Sequence, residues 1–312
     1  MVRRTFIHHA SLGSVGWLAA KELRACRQKT FPVNPSPIVT TVVDGVSIHA
    51  IHCGWVKVKK SHRNPSAGAP VILLDPRWTE WLPIWVWVIE HPEGITVVDT
   101  GENQRVTDDD YFDCGGANGW VSKQILQFNI QEPFEIKNRL RTININPDDV
   151  RWVVLTHLHI DHTDGLKHFP KAEILVSKTE FNQPYGSVPC TFPSWFNPRK
   201  IEPTHPNEYF GKAYPLTTDG RVIIVPTHGH SYGHQSVIFR GAAVDLFLAG
   251  DTTFNEHQLQ QRQVAGICID KSSARKTIDA IRAYCGKRPT VYLPTHDSQS
   301  ADRLKRQRPT QP

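Results

Sequence analysis

The stretch Thr156-His157-Leu158-His159-Ile160-Asp161-His162-Thr163-Asp164-Gly165 constrains this chain more than any other. It follows Arg151 to Leu155, a run centred on Val153, Val154 and Leu155 whose unbroken apolar character reads as a buried strand. As the strand ends, ligand-type side chains crowd together at His157, His159, Asp161 and His162. On extended backbone side chains alternate with period two, so His157 and His159 point the same way. Asp161 and His162 point elsewhere as the chain turns. One loop can thus serve one metal through the first pair and a second metal through the other. Imidazoles with a carboxylate suit zinc and other borderline metals. A His-rich surface loop is the weaker reading, because polar residues rarely cluster this tightly after a buried strand unless something binds them.

The pattern Thr-His-x-His-x-Asp-His-x-x-Gly resembles the signature of the metallo-β-lactamase superfamily. Further elements of that family have counterparts in order. Thr227-His228-Gly229-His230 is similar to its Gly-His element and places a ligand at His230. Gly250-Asp251, after the apolar run Leu246 to Ala249, resembles the bridging aspartate. Leu293-Pro294-Thr295-His296-Asp297 resembles the last histidine motif. Upstream, Val97-Val98-Asp99-Thr100-Gly101 matches the first motif, whose aspartate sits beside the metals rather than on them. The resemblance covers residues 84 to 297 and implies an α/β fold, the four-layer αββα sandwich with metals between the sheet edges. It assigns His157, His159 and His230 to one divalent ion and Asp161, His162 and His296 to another, bridged by Asp251 and a hydroxide. The ions implied are zinc, with manganese, iron or cobalt as alternatives. Two such ions lower a water pKa toward neutrality and clamp attacking and leaving oxygens. Asp161 and Asp251 are therefore the catalytic carboxylates, Asp161 also as a proton shuttle to the leaving group. His228 and His234 lie near these motifs but are not carried over as ligands; His234 reads as a support for them.

Spacing narrows the branch. His162 to His230 is 68 residues, His230 to Asp251 is 21 and Asp251 to His296 is 45. These intervals, the run Trp87 to Gly94 and the lead-in Arg139 to Asp149 resemble the N-acyl homoserine lactonases. The commonest β-lactamases carry Cys where Asp251 stands, and the oxygen-reducing di-iron branch carries Glu where His159 stands. Glyoxalase II-like thioesterases share the ligand set and are the runner-up. Their anionic substrate wants a basic cluster, and no Lys/Arg run stands near a ligand motif. A non-enzymatic binding module would have lost ligands, whereas all are present. The lactonase branch commonly has tyrosine where this chain has Phe254, which cannot donate a hydrogen bond; Tyr185 and Tyr232 are the substitutes considered. The expected substrate is a small-molecule ester or lactone, with a homodimer admitted as an assembly.

The formal charge of +6 raises the question of nucleic acid. The excess sits at the ends: residues 1–30 hold six Lys/Arg against one Glu, and residues 301–312 hold Arg303, Lys305, Arg306 and Arg308 against Asp302. Residues 31–300 then carry a net −2, so a nucleic-acid groove on the domain bearing the site is not expected. No apolar run approaches the roughly 18 residues of an integral membrane span. The six cysteines are scattered without Cys-x-x-Cys, and free buried thiols are expected, with a single bridge only if the protein is exported.

Three segments follow: a basic tail or degenerate twin-arginine-like signal at 1–30, a domain at 31–300 and a basic tail at 301–312. Arg3-Arg4 before a weak apolar run, Ala10 to Ala20, resembles an export signal without a clear cleavage site, so cytoplasm and periplasm both stay open. Pro32, Pro35 and Pro37 mark a linker. Ile38 to Val58 reads as two strands around an Asp44-Gly45 turn. Ile84 to Ile89 reads as a strand buried on both faces, which places Trp85 and Trp87 in the core and leaves Trp78 and Trp81 as pocket candidates. Asp108, Asp109, Asp110 and Asp113 read as a solvated acidic loop rather than a calcium site. Val121 to Arg141 has helical spacing, and Ser272 to Cys285 likewise. Residues 182–215 show no assignable elements.

Overall fold

Asp44 and Gly45 both take positive φ, 47° and 80°, which matches the right-handed twist of the strands they join. They connect β1 (Val39–Val43) to β2 (Val46–Val58) in the expected hairpin. This computed structural model describes residues 38–312. The signal or tail read at 1–30, Cys26 and the proline linker lie outside the described residues.

Two sheets follow. The first holds β1, β2, β3 (Leu82–His91), β4 (Gly94–Val98), β5 (Leu126–Asn129), β6 (Val150–Val154), β7 (Glu173–Ser177) and β8 (Arg199–Ile201). Its order is β1-β2-β3-β4-β6-β7-β8, with β5 paired to the far end of β2. The second runs from β9 (His205–Asn207), β10 (Gly211–Pro215) and β11 (Val222–Pro226) through β12 (Gln235–Phe239) and β13 (Asp245–Gly250) to β14 (Thr290–Pro294).

Alternation along the strands sorts the residues into layers. Trp85, Trp87 and Ile89 of β3 face Val237, Phe239, Leu246 and Leu248 of the second sheet in one apolar cluster between the sheets. Ile84, Val86 and Val88 point the other way, with Ile136 and Leu140. Ile238, Phe247 and Tyr292 likewise turn toward Ile278, Ile281 and Tyr284 of the helix Lys271–Lys287. That is the four-layer αββα arrangement. Asp270 caps this helix by accepting from Ser272 N and Ser273 N. Trp85 and Trp87 are core, as read from the sequence. Among the described residues no helix is long and apolar enough to cross a membrane.

Three expectations are corrected. The single helix read at 121–141 is a helix Gly116–Ile125, then β5, then a helix Ile136–Arg141. Leu126–Asn129 gains more by pairing with Trp55–Val58 of β2, and Pro133 then opens a separate turn. Residues 301–312 are not a tail: the helix Ser300–Arg306 packs Ala301 and Leu304 into the cluster between the sheets. Arg303 is buried and donates to Asp297 Oδ2 at 2.7 Å and to Tyr292 O at 3.0 Å, which compensates its charge. Cys114 and Cys190 are not free thiols but a disulfide; their Cα atoms lie 6.0 Å apart because the 102–142 insertion packs on the 182–198 loop. Cys53, Cys268 and Cys285 are free and buried, as expected.

Candidate metal centre

Strand ends deliver the polar side chains. β6 stops at Val154, and His157 and His159 follow on extended backbone before a short helix, Ile160–Thr163, carries Asp161 and His162. His230 comes from the loop after β11, Asp251 from the end of β13 and His296 from the end of β14. Gly250 is required here: its φ is 57°, and a Cβ would lie 2.7 Å from His234 Nε2.

The side chains converge in two groups. His230 Nε2 lies 3.2 Å from His157 Nε2 and 3.0 Å from His159 Nδ1, and the latter two are 2.9 Å apart. His296 Nε2 lies 3.2 Å from Asp161 Oδ2, and His162 Nε2 lies 3.7 Å from Asp161 Oδ1. Asp251 faces both groups: its Oδ2 is 3.6 Å from His230 Nε2 and 3.3 Å from His296 Nε2, and its Oδ1 is 3.4 Å from His162 Nε2.

A second layer of hydrogen bonds sets which ring nitrogen faces inward. His162 Nδ1 donates to Asp99 Oδ2 at 2.8 Å. Asp99, at φ 61°, also accepts from Thr156 N and Thr156 Oγ1. His157 Nδ1 donates to Thr156 Oγ1 and His296 Nδ1 to Pro83 O. His234 Nε2 accepts from Asp251 N at 3.0 Å, while its Nδ1 donates to Thr227 Oγ1 at 2.9 Å. His234 is neutral in this role, since burial lowers its pKa to about 3. Asp99 and His234 thus hold His162 and the Asp251 backbone in place within the cluster.

The donor set fits divalent ions. His162 Nε2 and Asp251 Oδ1 are buried without a hydrogen-bond partner, although buried polar atoms are normally paired. Burial pushes His157, His159 and His230 down, so their inward nitrogens present lone pairs to one another. Their spacing is close to the roughly 3.3 Å edge of a tetrahedron with metal–nitrogen bonds of about 2.0–2.1 Å.

The metallo-beta-lactamase superfamily model matches residues 79–296. The chain belongs to this superfamily. As a superfamily member it is a hydrolase of metal-dependent type. N-acyl homoserine lactonase AttM of Agrobacterium fabrum is 25% identical over 223 residues, 69% of this chain and 82% of the relative. N-acyl homoserine lactonase AiiA of Bacillus thuringiensis subsp. kurstaki is 26% identical over 222 residues, with the same coverage. The fold is similar to a solved N-acyl homoserine lactone hydrolase with N-hexanoyl-L-homoserine at its catalytic metal centre, at TM-score 0.66 and 21% identity over 82% of this chain and 94% of the other. It is also similar to AidC, a dizinc quorum-quenching lactonase, at TM-score 0.59 and 12% identity over 85% of this chain and 91% of the other.

Of the expected pocket residues, the superfamily fold brings Phe254 to the site, its ring centroid 6.2 Å from that of His296. Trp78 and Trp81, the other two pocket candidates, flank Glu80, which accepts from Arg63. Their rings lie under Lys59 and Lys57, at 3.8 Å and 4.6 Å, where a cation rests on an aromatic face. Tyr185 and Tyr232 form an exposed edge-on pair at 6.4 Å. Gly186 is so close to the ligand edge that a Cβ would lie 2.7 Å from His159 Nε2. Sequence reasoning missed Glu180. It is fully buried and accepts from Leu158 N, Ser231 Oγ and Gly233 N, which joins the signature loop to the His230 loop. A lone glutamate after a strand carries no local signal of that role.

Proposed function

We propose that this chain is a dinuclear metal hydrolase that opens lactones of the N-acyl homoserine type. His157, His159 and His230 would hold one ion and Asp161, His162 and His296 the second, with Asp251 facing both groups. Zinc suits the three-imidazole group best, with manganese, iron or cobalt as alternatives. Bound there, two divalent ions would supply a nucleophilic hydroxide at neutral pH and Lewis-acid polarisation of an ester carbonyl. The oxygen of water bonds to the carbonyl carbon, the ring C–O bond breaks, and the released proton ends on the leaving alkoxide to give a hydroxy acid.

Asp161 is suited to carry that proton. Burial would raise its pKa, but His162 and His296 outweigh this and hold it ionised, so its carboxylate is open to accept a proton. Phe254 and the exposed tyrosine pair offer an apolar wall for an acyl arm. The observation that supports this reading most is Asp251, placed between two complete ligand groups in a fold whose named relatives are lactonases.

One observation favours a thioesterase of the glyoxalase II kind as a second reading. Lys57, Lys59, Lys60 and Arg63 lie on one segment, and the Arg63 guanidinium carbon sits 5.7 Å from the Phe254 ring. Arg63 thus brings one cation against Phe254, although no Lys/Arg run stands near a ligand motif in the sequence. A panel of homoserine lactones, aryl lactones, thioesters, phosphodiesters and a β-lactam, run on zinc- and manganese-loaded protein, separates the two. Lactones are expected to lead; a thioester preferred over every lactone overturns the reading.

A further inference from the structure

Two irregular segments meet beside the imidazole group. The first is the loop after the helix Lys178–Asn182, which holds no strand and one short turn, Pro189–Thr191, before β8. The backbone oxygen of Tyr185 accepts from His159. Gly186 lies against the outer nitrogen of the same ring, Nε2, as its missing Cβ shows. The exposed Tyr185 ring stands edge-on to Tyr232, two residues past His230. This loop is therefore a wall of the candidate metal centre and sets the orientation of one ligand ring.

The second segment is the 102–142 insertion, and it holds the wall from behind. Asn118 Nδ2 donates to Ser187 O at 2.9 Å. Val188 is buried so close to Gly115 that a Cβ there would lie 2.7 Å from its Cγ1. Cys114 is bonded to Cys190, five residues beyond Tyr185. The insertion itself is anchored to the first sheet: Phe112 is buried and stacks on Phe128 of β5, which pairs with β2. A continuous path thus runs from the sheet through the disulfide to His159. Both bridged cysteines are exposed, so a reductant in solvent reaches them. Cys53, Cys268 and Cys285 are buried, and burial raises their thiols to about 12, which leaves no thiolate inside the fold to attack the bridge.

We propose that the Cys114–Cys190 disulfide is a redox-operated clamp on the metal centre, holding Tyr185 and Gly186 against His159 when closed and releasing them when a dithiol reduces it. In that step the S–S bond breaks, each sulfur takes one hydrogen from the dithiol, and the dithiol closes to its own disulfide. An oxidising compartment maintains the clamped form, and a reducing one opens it. Once open, His159 loses the acceptor that orients its ring, and the imidazole group binds its ion less tightly. This regulatory effect rests on the dinuclear reading of the site.

The test uses the full chain, untreated or reduced with tris(2-carboxyethyl)phosphine and desalted; the phosphine leaves as its oxide, with oxygen from water. Reduction is expected to free two thiols per chain, read with a thiol reagent. Hydrogen exchange on the metal-free protein should then speed up by about 10-fold at residues 183–191 and stay unchanged at the ends of β13 and β14. In competitive zinc titration, one of the two steps should weaken by about 10-fold and the other hold within about twofold. The step that weakens should be the one missing from His159→Ala. Oxidised glutathione, which takes the hydrogens back, should restore both readings. Cys114→Ser with Cys190→Ser should match the reduced protein, and the reduced protein decides alone if that variant folds poorly. No new thiols on reduction would leave no bridge to operate and overturn the proposal. Unchanged exchange at 183–191 after the thiols appear would do the same, because Val188 and Asn118 then hold the wall without the bridge. Faster exchange with both zinc steps unchanged, or equally weakened, would make the bridge a structural staple and also overturn it. If the untreated protein takes up no zinc while the exchange result stands, the dinuclear reading is what fails, and the regulatory effect falls with it.

Discussion

The two candidate ligand groups differ in one residue type: three histidines in one, an aspartate and two histidines in the other. His157, His159 and His230 form a set of imidazoles kept neutral by burial. The other group holds a carboxylate, Asp161, and two histidines pushed the opposite way. Burial would lower His162 as well, but Asp99, Asp251 and Asp161 outweigh it and raise its pKa well above the ordinary value. His296 is raised to about 10 in the same manner, burial being overcome by Asp251 and Asp161. One group thus offers nitrogen donors only, and the other adds the carboxylate oxygen of Asp161. The difference teaches that the two positions need not prefer the same metal: the imidazole half suits zinc, and the carboxylate half accepts a harder ion such as manganese more readily.

The strongest way to break this comparison is to remove what the halves share. Asp251→Ala takes an oxygen from both groups, and turnover is expected to fall by at least about 10³-fold, the scale of losing a core catalytic group. Metal content should fall in step. His159→Ala and His296→Ala each empty one half, so each retains metal in the other, readable by elemental analysis beside turnover. Loss of both ions from either single variant would show one cooperative cage rather than two positions.

The next effect sharpens the contrast in support. Asp99 bonds His162 directly, at 2.8 Å, and reaches His157 only through Thr156 Oγ1. Asp99→Asn is expected to weaken metal binding or activity by about 10- to 100-fold, the usual cost of losing a partner of a ligand. The loss should be larger in the carboxylate half, where the bond is direct; competitive metal titration reads it. Equal weakening of both halves would contradict the division.

Much of this was legible in sequence, and the reason is local. His157, His159, Asp161 and His162 share one loop, and His230, Asp251 and His296 each follow an apolar strand, so a strand end with a ligand residue marks each position. The Asp44-Gly45 hairpin was equally plain, because turn chemistry acts over two residues. What was hidden depends on contacts between distant segments. Leu126–Asn129 looks helical until β2 offers it a partner. Cys114 and Cys190 are 76 residues apart and meet only through the folding of two irregular loops. The residues 301–312 read as a tail because Arg303 looked like surface charge, when Asp297 compensates it inside. Arg63 and Glu180 gave no signal for the same reason.

The smallest effect lies away from the ligands and serves as their control. His52 is fully buried among Trp55, Trp85 and Phe134, and neither ring nitrogen has a partner. Burial first, then the Arg139 charge, lowers its pKa from 6.5 to about 3. The unfolded chain binds this proton at higher pH than the folded one. His52 therefore subtracts nothing above about pH 6.5 and destabilises progressively as pH falls toward 3. His52→Leu should flatten the fall in urea-unfolding stability between pH 6.5 and 4 while leaving metal content unchanged. An identical pH slope in the variant would place the acid sensitivity elsewhere, in the ligand histidines.

The proposed dinuclear centre requires two metal positions on either side of Asp251. Elemental analysis of the purified protein, stripped with chelator and reloaded with excess zinc before desalting, tests it most directly. About two zinc ions per chain is the expected result, with full hydrolysis reached only as the second is taken up. Saturation at one ion per chain with full activity, or no retained zinc at all, would contradict it.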